Sequence, residues 1–345
     1  MTRKGNLMLT PTPKWMEELF KINFNDEDSE IKIRDHPFVI KNGILRSKNL
    51  ILKNQSQTKE TFSFKWKKVD TFASPSSLKR MRKWLIEKYG DIAESKWIKE
   101  HGHNPLLLDA GCGAGMSALE LFSSIITKVR YLGVDVSDSV DIAKKRFLKK
   151  GYSCGFIQCD LNEIPLIENS VDLIFSEGVL HHTNSTEKSL KSLSKLLKPG
   201  GRFLFYVYRK KGPIREFTDD YIRNKIQHME PNEAWEALKP LTELGIELSK
   251  INKEININKK IDLLEIPSGK ISLQRLFYWH VAKMFYDKNL TFEEMNHINF
   301  DWYMPSNASR HSLEEILRWC EEAKLMVEKQ VSENAGITII AKKNV

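Results

Sequence analysis

The run Leu106-Leu107-Leu108, followed without a break by Asp109-Ala110-Gly111-Cys112-Gly113-Ala114-Gly115, constrains this chain more than any other stretch. Apolar residues with no polar alternation suit a short strand covered on both faces. Glycines at every second position then turn the chain where side chains would be in the way. Met116, Leu119 and Phe122 follow at helical spacing. A strand, a Gly-rich turn and a helix in that order bring backbone N–H groups and a helix N-terminus up to a ligand.

The alternation continues. Val129 to Asp135 reads as a second strand ending in an acid, and Ser137 as the cap of a helix over Val140 to Lys149. Gly155 to Gln158 is a third strand, ending near Asp160, and Val171 to Ser176 a fourth. The helix Glu187 to Leu197 ends at Pro199-Gly200-Gly201, before a fifth strand over Phe203 to Tyr208. Short apolar strands alternating with helices predict a mostly parallel sheet with helices on both faces.

After Tyr208 the alternation stops for roughly a hundred residues that are helical, aromatic and Lys-rich by pattern. It resumes at the capping box Ser312-Leu313-Glu314-Glu315 and two closing strands, Met326 to Val331 and Gly336 to Ala341. The expected architecture is therefore a Rossmann-like, doubly wound α/β fold of seven strands, mostly parallel with a C-terminal antiparallel hairpin. Residues 1–104 form an N-terminal extension, 105–208 the cofactor-binding core, 209–305 a helical insertion or lid, and 306–345 the last helix and closing strands. Within the extension, Pro13 to Phe20 reads as a short helix and Phe38 to Leu45 as two strands about an Asn-Gly turn. Ser77 reads as a helix cap, and Phe62, Phe64 and Trp66 as one face of a strand at period two or as a cover for the cofactor.

Composition excludes several classes. Hydrophobic residues make up 41% of the 345 residues, enough for a large core. No run of about 18 apolar residues predicts a spanning helix. Met1 to Asn6 leads into no apolar signal core, and the expected location is cytoplasmic. Four cysteines, Cys112, Cys154, Cys159 and Cys320, form no C-x-x-C pair, so no metal site is expected. A disulfide between Cys154 and Cys159 stays open beside four reduced thiols. The net charge of +9 fits a lysine-rich solvated surface or an acidic partner.

A lone G-x-G-x-G serves a dinucleotide enzyme, a methyltransferase or an unliganded turn equally well. The ordered set is more specific. It resembles the class I S-adenosylmethionine-dependent methyltransferases, in particular the type 11 group. Leu107 to Gly115 matches the first motif, Gly133-Val134-Asp135-Val136-Ser137 the second, and Cys159-Asp160-Leu161 the third. Val171 to Ile174 with Leu180-His181-His182 matches the fourth, and Leu196 to Gly201 the turn before strand five. Met116 stands where the dinucleotide pattern wants its third glycine.

The resemblance implies S-adenosylmethionine as cofactor. It puts Asp109 at the base of the turn with reach to the methionine ammonium, and the turn Gly111–Gly113–Gly115 under methionine and ribose. Asp135 with Val136 falls at the ribose, Asp160 with Leu161 at the adenine edge, and Ser176-Glu177-Gly178 beside the sulfonium, facing the substrate. His181 and His182 are candidate bases. In the insertion, His280, His297, Asp301, Tyr303 and His311 are the polar candidates for the acceptor site; His280 and Tyr303 join the two histidines as catalytic candidates. The first functional reading is a transferase of methyl groups to a small-molecule or glycan- or lipid-conjugate acceptor. The alternatives are an RNA or other nucleic-acid methyltransferase, suggested by the basic charge, and a non-catalytic nucleoside-binding module.

Overall fold

A computed structural model describes residues 12–49, 53–68, 71–92, 95, 98 and 100–344. The opening Met1 to Asn6 lies outside them. The chain begins with helix α1 (Lys14–Phe20) and the strands β1 (Glu30–Ile33), β2 (His36–Lys41) and β3 (Ile44–Ser47). Asn42 and Gly43, at φ 55° and 60°, make the tight turn between β2 and β3, as the Asn-Gly signal predicts. Helices α2 (Lys53–Lys67) and α3 (Pro75–Tyr89) complete the extension.

The core then runs β4 (Leu106–Ala110), α4 (Met116–Phe122), β5 (Arg130–Asp135), α5 (Ser139–Lys149), β6 (Gly155–Gln158), β7 (Val171–Glu177), α6 (Thr186–Leu196) and β8 (Leu197–Tyr208). The stretch after it holds α7 (Pro213–Ile226), α8 (Pro231–Lys250), β9 (Glu254–Ile257), β10 (Gly269–Ser272), α9 (Leu273–His280) and α10 (Phe292–Tyr303). Helix α11 (Leu313–Glu322), β11 (Leu325–Ser332) and β12 (Gly336–Lys343) close the chain.

Seven strands stand in the order β6-β5-β4-β7-β8-β12-β11, with β4 to β8 parallel and β12 and β11 antiparallel. The sheet does not stop there. β3 pairs in parallel with β6 at Leu45 and Arg46, carrying β2 and β1 with it, so ten strands form one sheet. The three added strands cover the edge of β6, whose N–H and C=O groups would otherwise invite another chain. All five residues of β4 are buried. Leu106, Leu108 and Ala110 join the core on one face of the sheet and Leu107 the core on the other, which is why the leucine run shows no alternation.

Three local readings are corrected. The segment carrying Phe62, Phe64 and Trp66 is helix α2, not a strand; Phe62 and Trp66 share a face because i and i+4 coincide on a helix. The cap of α3 is Ser74, whose hydroxyl accepts from the Ser77 N–H, with Pro75 opening the helix. The stretch after Tyr208 is not wholly helical: β9 and β10 form a two-stranded antiparallel pair. Its helices pack Trp235, Phe300, Trp302 and Tyr303 against Tyr206 and Tyr208 at the end of β8.

Candidate active site

The order in which strands are added reverses between the parallel neighbours β4 and β7: from β4 the strands run out to β6 on one side, and from β7 to β8 on the other. In open α/β sheets that crevice, at the C-terminal ends of the strands, is where ligands bind. The Ser176 hydroxyl donates to the Ala110 carbonyl at 2.8 Å and ties the two strands together there. A cavity of about 700 Å³ opens above them, within the ~300–1,000 Å³ typical of cofactor and small-ligand sites. Gly111, Gly113, Asp135, Val136, Asp160, Leu161, Glu177 and Gly178 form its sheet-side wall.

The glycine turn is shaped by necessity. Gly111 has φ 88°, and a Cβ there would lie 2.2 Å from the Val179 side chain. A Cβ on Gly113 would meet the Trp66 indole at 2.9 Å, and one on Gly115 the Phe147 ring at 2.7 Å. Asp135 grips the turn. One of its oxygens accepts from the Gly113 N–H at 2.9 Å, and the other from the Ser137 N–H at 2.8 Å and hydroxyl at 2.6 Å. Burial raises its pKa, and those donors oppose the rise. Asp160 accepts from the Asn162 N–H at 2.8 Å and amide at 2.9 Å. Each carboxylate keeps lone pairs for a ligand hydroxyl or amine. This donor set, with its glycine cradle and paired acids, fits a nucleoside bearing vicinal hydroxyls.

The opposite wall comes from α2, α3 and the insertion. Phe62, Lys65 and Trp66 enter from α2, and Tyr278, Trp279, Lys283, Phe285, His297 and Asp301 from the insertion. Lys65 donates to Asp301 in a partly buried ion pair. Burial pushes the Asp301 carboxyl up, but the Lys65 ammonium outweighs it and holds the pKa at about 2. His182, at the rim of the sheet side, is fixed at Nδ1, 2.6 Å from the Asn307 carbonyl. A carbonyl only accepts, so Nδ1 carries the proton and Nε2 is left as an acceptor. Burial lowers its pKa to about 4, so the ring is neutral near pH 7. The same logic applies to His297: Thr71 gives its proton to the Lys68 carbonyl, so His297 Nδ1 donates to Thr71 at 2.7 Å. Burial lowers this ring to about 3.

Residues 108–205 match the family model for a methyltransferase domain. The matched stretch is a methyltransferase domain. A probable tRNA methyltransferase 9B of Bos taurus is 27% identical over 139 residues, 37% of this chain and 28% of that one. A sterol 4-C-methyltransferase of Caenorhabditis elegans is 28% identical over 40% of this chain and 38% of that one. A sterol 24-C-methyltransferase of Pneumocystis carinii is 35% identical over 30% and 27%. The matches thus span less than two-fifths of these relatives' lengths. A solved S-adenosylmethionine-dependent methyltransferase of Aquifex aeolicus aligns with 78% of this chain and 98% of that one, at 18% identity and a TM-score of 0.39.

The fold brings together on the cavity wall Gly111, Gly113, Asp135, Val136, Asp160, Leu161, His182, His297 and Asp301. It places the other candidates elsewhere. Asp109 is buried beneath the turn, accepting from the Tyr131 hydroxyl; burial pushes its carboxyl up to about 7. Gly115 packs on Phe147 and Ser176 bonds Ala110, so both shape the site from behind. His181 is fully buried with its ring stacked on Tyr208 at 3.6 Å, and burial holds its pKa far below the usual value. Tyr303 donates to Asp219 at 2.8 Å and accepts from the Lys283 N–H at 2.7 Å. His280 ends α9 off the cavity wall. His311 bonds Thr186 at 2.8 Å and packs on Trp319. Lys65 and Lys283 are wall residues that escaped the sequence reading. Glu177 accepts from Lys88 at 2.6 Å and from the Tyr89 hydroxyl, and burial lowers the Lys88 ammonium to about 7. Neither Lys65 nor Lys283 had a local signal for this place, whereas Glu177 was marked by its position directly after Ser176. Among the described residues, no cluster of His, Cys, Asp or Glu has metal-binding geometry.

Proposed function

We propose that the protein transfers the methyl group of S-adenosylmethionine to a small, partly apolar organic acceptor, a metabolite or the accessible end of a glycan or lipid conjugate. The observation that carries this reading is the continuity of the cavity: one space runs from Gly111 and Asp135 to Tyr278, Trp279 and Phe285. A pocket walled by aromatics suits a compact acceptor better than a base still stacked in a nucleic acid.

When bound, the cofactor supplies an electrophilic methyl with a neutral thioether as leaving group. The chain's own residues do the rest. Asp135 takes the ribose hydroxyls, Asp160 with the Leu161 backbone the adenine edge, and the glycine turn the methionine stem. Helix α2 lays Phe62 and Trp66 over the site and keeps water from the methyl. Alignment of two reactants in such a site contributes on the order of 7–11 kcal/mol. An acceptor that loses a proton gives it to Nε2 of His182, which faces the cavity with Nδ1 already committed. A base with a pKa of about 4 takes that proton in step with methyl transfer, not before it. Four buried free thiols accord with a cytoplasmic location.

The test uses labelled methyl donor with an extract split into organic-soluble metabolites and total tRNA. Label in the organic fraction is expected. Label confined to tRNA, with binding that collapses as salt rises, replaces this reading with the nucleic-acid one.

A further inference from the structure

The charges lining the cavity are unevenly matched. Its acids are engaged: Asp135 and Asp160 by the donors above, Glu177 by Lys88 and Tyr89, Asp301 by Lys65, and Glu87 by Lys83 at 3.8 Å. Glu294 accepts from Ser74, Ser77 and the Thr291 N–H. Arg80 has no carboxylate partner among the described residues but is exposed, over the Phe285 ring at 5.5 Å; the buried cation that is not matched is Lys283. Its side chain lines the cavity with only 8% of the residue exposed. Its ammonium lies 4.6 Å from the centroid of the Trp302 ring and has no hydrogen-bond acceptor or carboxylate partner among the described residues. Burial lowers its pKa to about 7; Asp301 and Asp219 attract its charge, and Arg215, Lys65 and Lys211 repel it. Both carboxylates are committed, Asp301 to Lys65 and Asp219 to Arg215, the Trp302 indole and the Tyr303 hydroxyl.

A buried cation without a counter-ion is costly unless something that binds there supplies one. The Trp302 face compensates in part, through its ring quadrupole. On the same side of the cavity, Arg275 spends its guanidinium on the Tyr286 carbonyl at 3.2 Å and lies over the Tyr278 ring. The Tyr278–Phe285 pair, with centroids 5.9 Å apart, offers an apolar surface beside these charges.

Resting on the function proposed above, we propose that the acceptor is an amphipathic anion: Lys283 binds its carboxylate or phosphate, and its apolar body lies against Tyr278, Trp279 and Phe285. Lys283 is a specificity determinant. It anchors the acceptor by a group other than the one methylated, and leaves cofactor binding untouched.

The experiment titrates octanoate, octyl phosphate and 1-octanol into the full-length protein by calorimetry, with S-adenosylhomocysteine present throughout. At least one anion is expected to bind tenfold or more tighter than the alcohol. Lys283→Gln is expected to abolish that preference, Lys283→Arg to restore most of it, and both to keep wild-type affinity for S-adenosylhomocysteine. Absence of a preference for the anions in the wild-type protein, whether all three ligands bind alike or none binds, overturns the proposal, and this arm stands if the glutamine variant does not fold. A preference that survives Lys283→Gln overturns the role of Lys283. A folded protein that takes up no S-adenosylhomocysteine fails the underlying function instead, and the two failures are told apart in the same titration.

Discussion

On the sheet side of the cavity, each oxygen of Asp135 is held by groups from its own turn and the one beside it, with lone pairs to spare. On the insertion side, Lys283 sits over an indole with no counter-ion. The first wall is made of backbone held in fixed conformations, and its polar groups are fixed in place before any ligand arrives. The second is made of long side chains from α2 and the insertion, brought together only by the tertiary fold, and its buried Lys283 is left without a counter-ion. A shared cofactor requires the first kind of wall, because the ligand does not vary. A particular acceptor requires the second, where a few side chains decide what is admitted.

The sharpest way to break this contrast is at Gly111. With φ 88° and the Val179 side chain 2.2 Å from where a Cβ would stand, Gly111→Ala meets both backbone strain, on the order of 1–3 kcal/mol, and a clash. Affinity for S-adenosylhomocysteine is expected to fall by on the order of 100-fold by calorimetry. Unchanged affinity would mean that the turn does not cradle the cofactor.

The next largest effect lies on the other wall. Asp301→Asn leaves Lys65 unpaired in a partly buried site, a cost of about 1–3 kcal/mol at pH 7, with cofactor affinity within about twofold of wild type. The pH dependence fixes the sign. The Asp301 pKa is lowered to about 2 in the fold from an ordinary value of 3.8. The unfolded chain therefore binds its proton first as the solution is acidified. The pair's contribution is complete above about pH 4 and is lost as pH falls toward 2. Urea melts of wild type and variant should converge at the acid end of that window; a constant gap down to pH 2 would remove the ion pair as the cause.

Trp66 asks whether the walls are independent. It comes from α2, yet its indole rests on Gly113 and meets Phe72 edge-on at 4.8 Å. Trp66→Ala is expected to weaken S-adenosylhomocysteine roughly 3- to 10-fold, the value of one aromatic contact. No change would confine α2 to the acceptor side.

What could be read from the sequence follows the same division. Gly111, Gly113, Asp135 and Asp160 are legible because their signals are local: a glycine where φ is positive, an acid at a strand end, and a fixed order of strands and helices. The parallel sheet and its closing hairpin followed from the same periodicities. Helix α2 was not legible, because Phe62, Phe64 and Trp66 satisfy period two as well as i, i+4. The pairing of β3 with β6 is set by edge geometry between residues more than a hundred positions apart. The strands β9 and β10 are largely exposed and carry little hydrophobic contrast. Lys283 carries no signal at all, since one lysine among 54 basic residues becomes distinctive only when the fold buries it away from carboxylates.

Asp109 is the case in which a legible motif and the geometry divide, and it yields the smallest effect. The motif resemblance gives it reach to the methionine ammonium; in the fold it lies under the turn, bonded to Tyr131. Burial raises its pKa from 3.8 to about 7, against the opposing pull of that hydrogen bond. Between those values the folded protein holds a proton that the unfolded chain has released, so stability falls as pH rises from about 4 to about 7 and then levels off. Tyr131→Phe removes the donor that favours the ionised form. Its cost is expected to be under about 1 kcal/mol at pH 5, where the folded carboxyl is protonated, and about 1–2 kcal/mol at pH 8, where it is ionised and left short of a donor. Urea melts at the two pH values read the difference directly. An equal cost at both would mean that Asp109 is ionised throughout, and a carboxylate charged at pH 5 beneath the glycine turn would return the methionine ammonium as its natural partner.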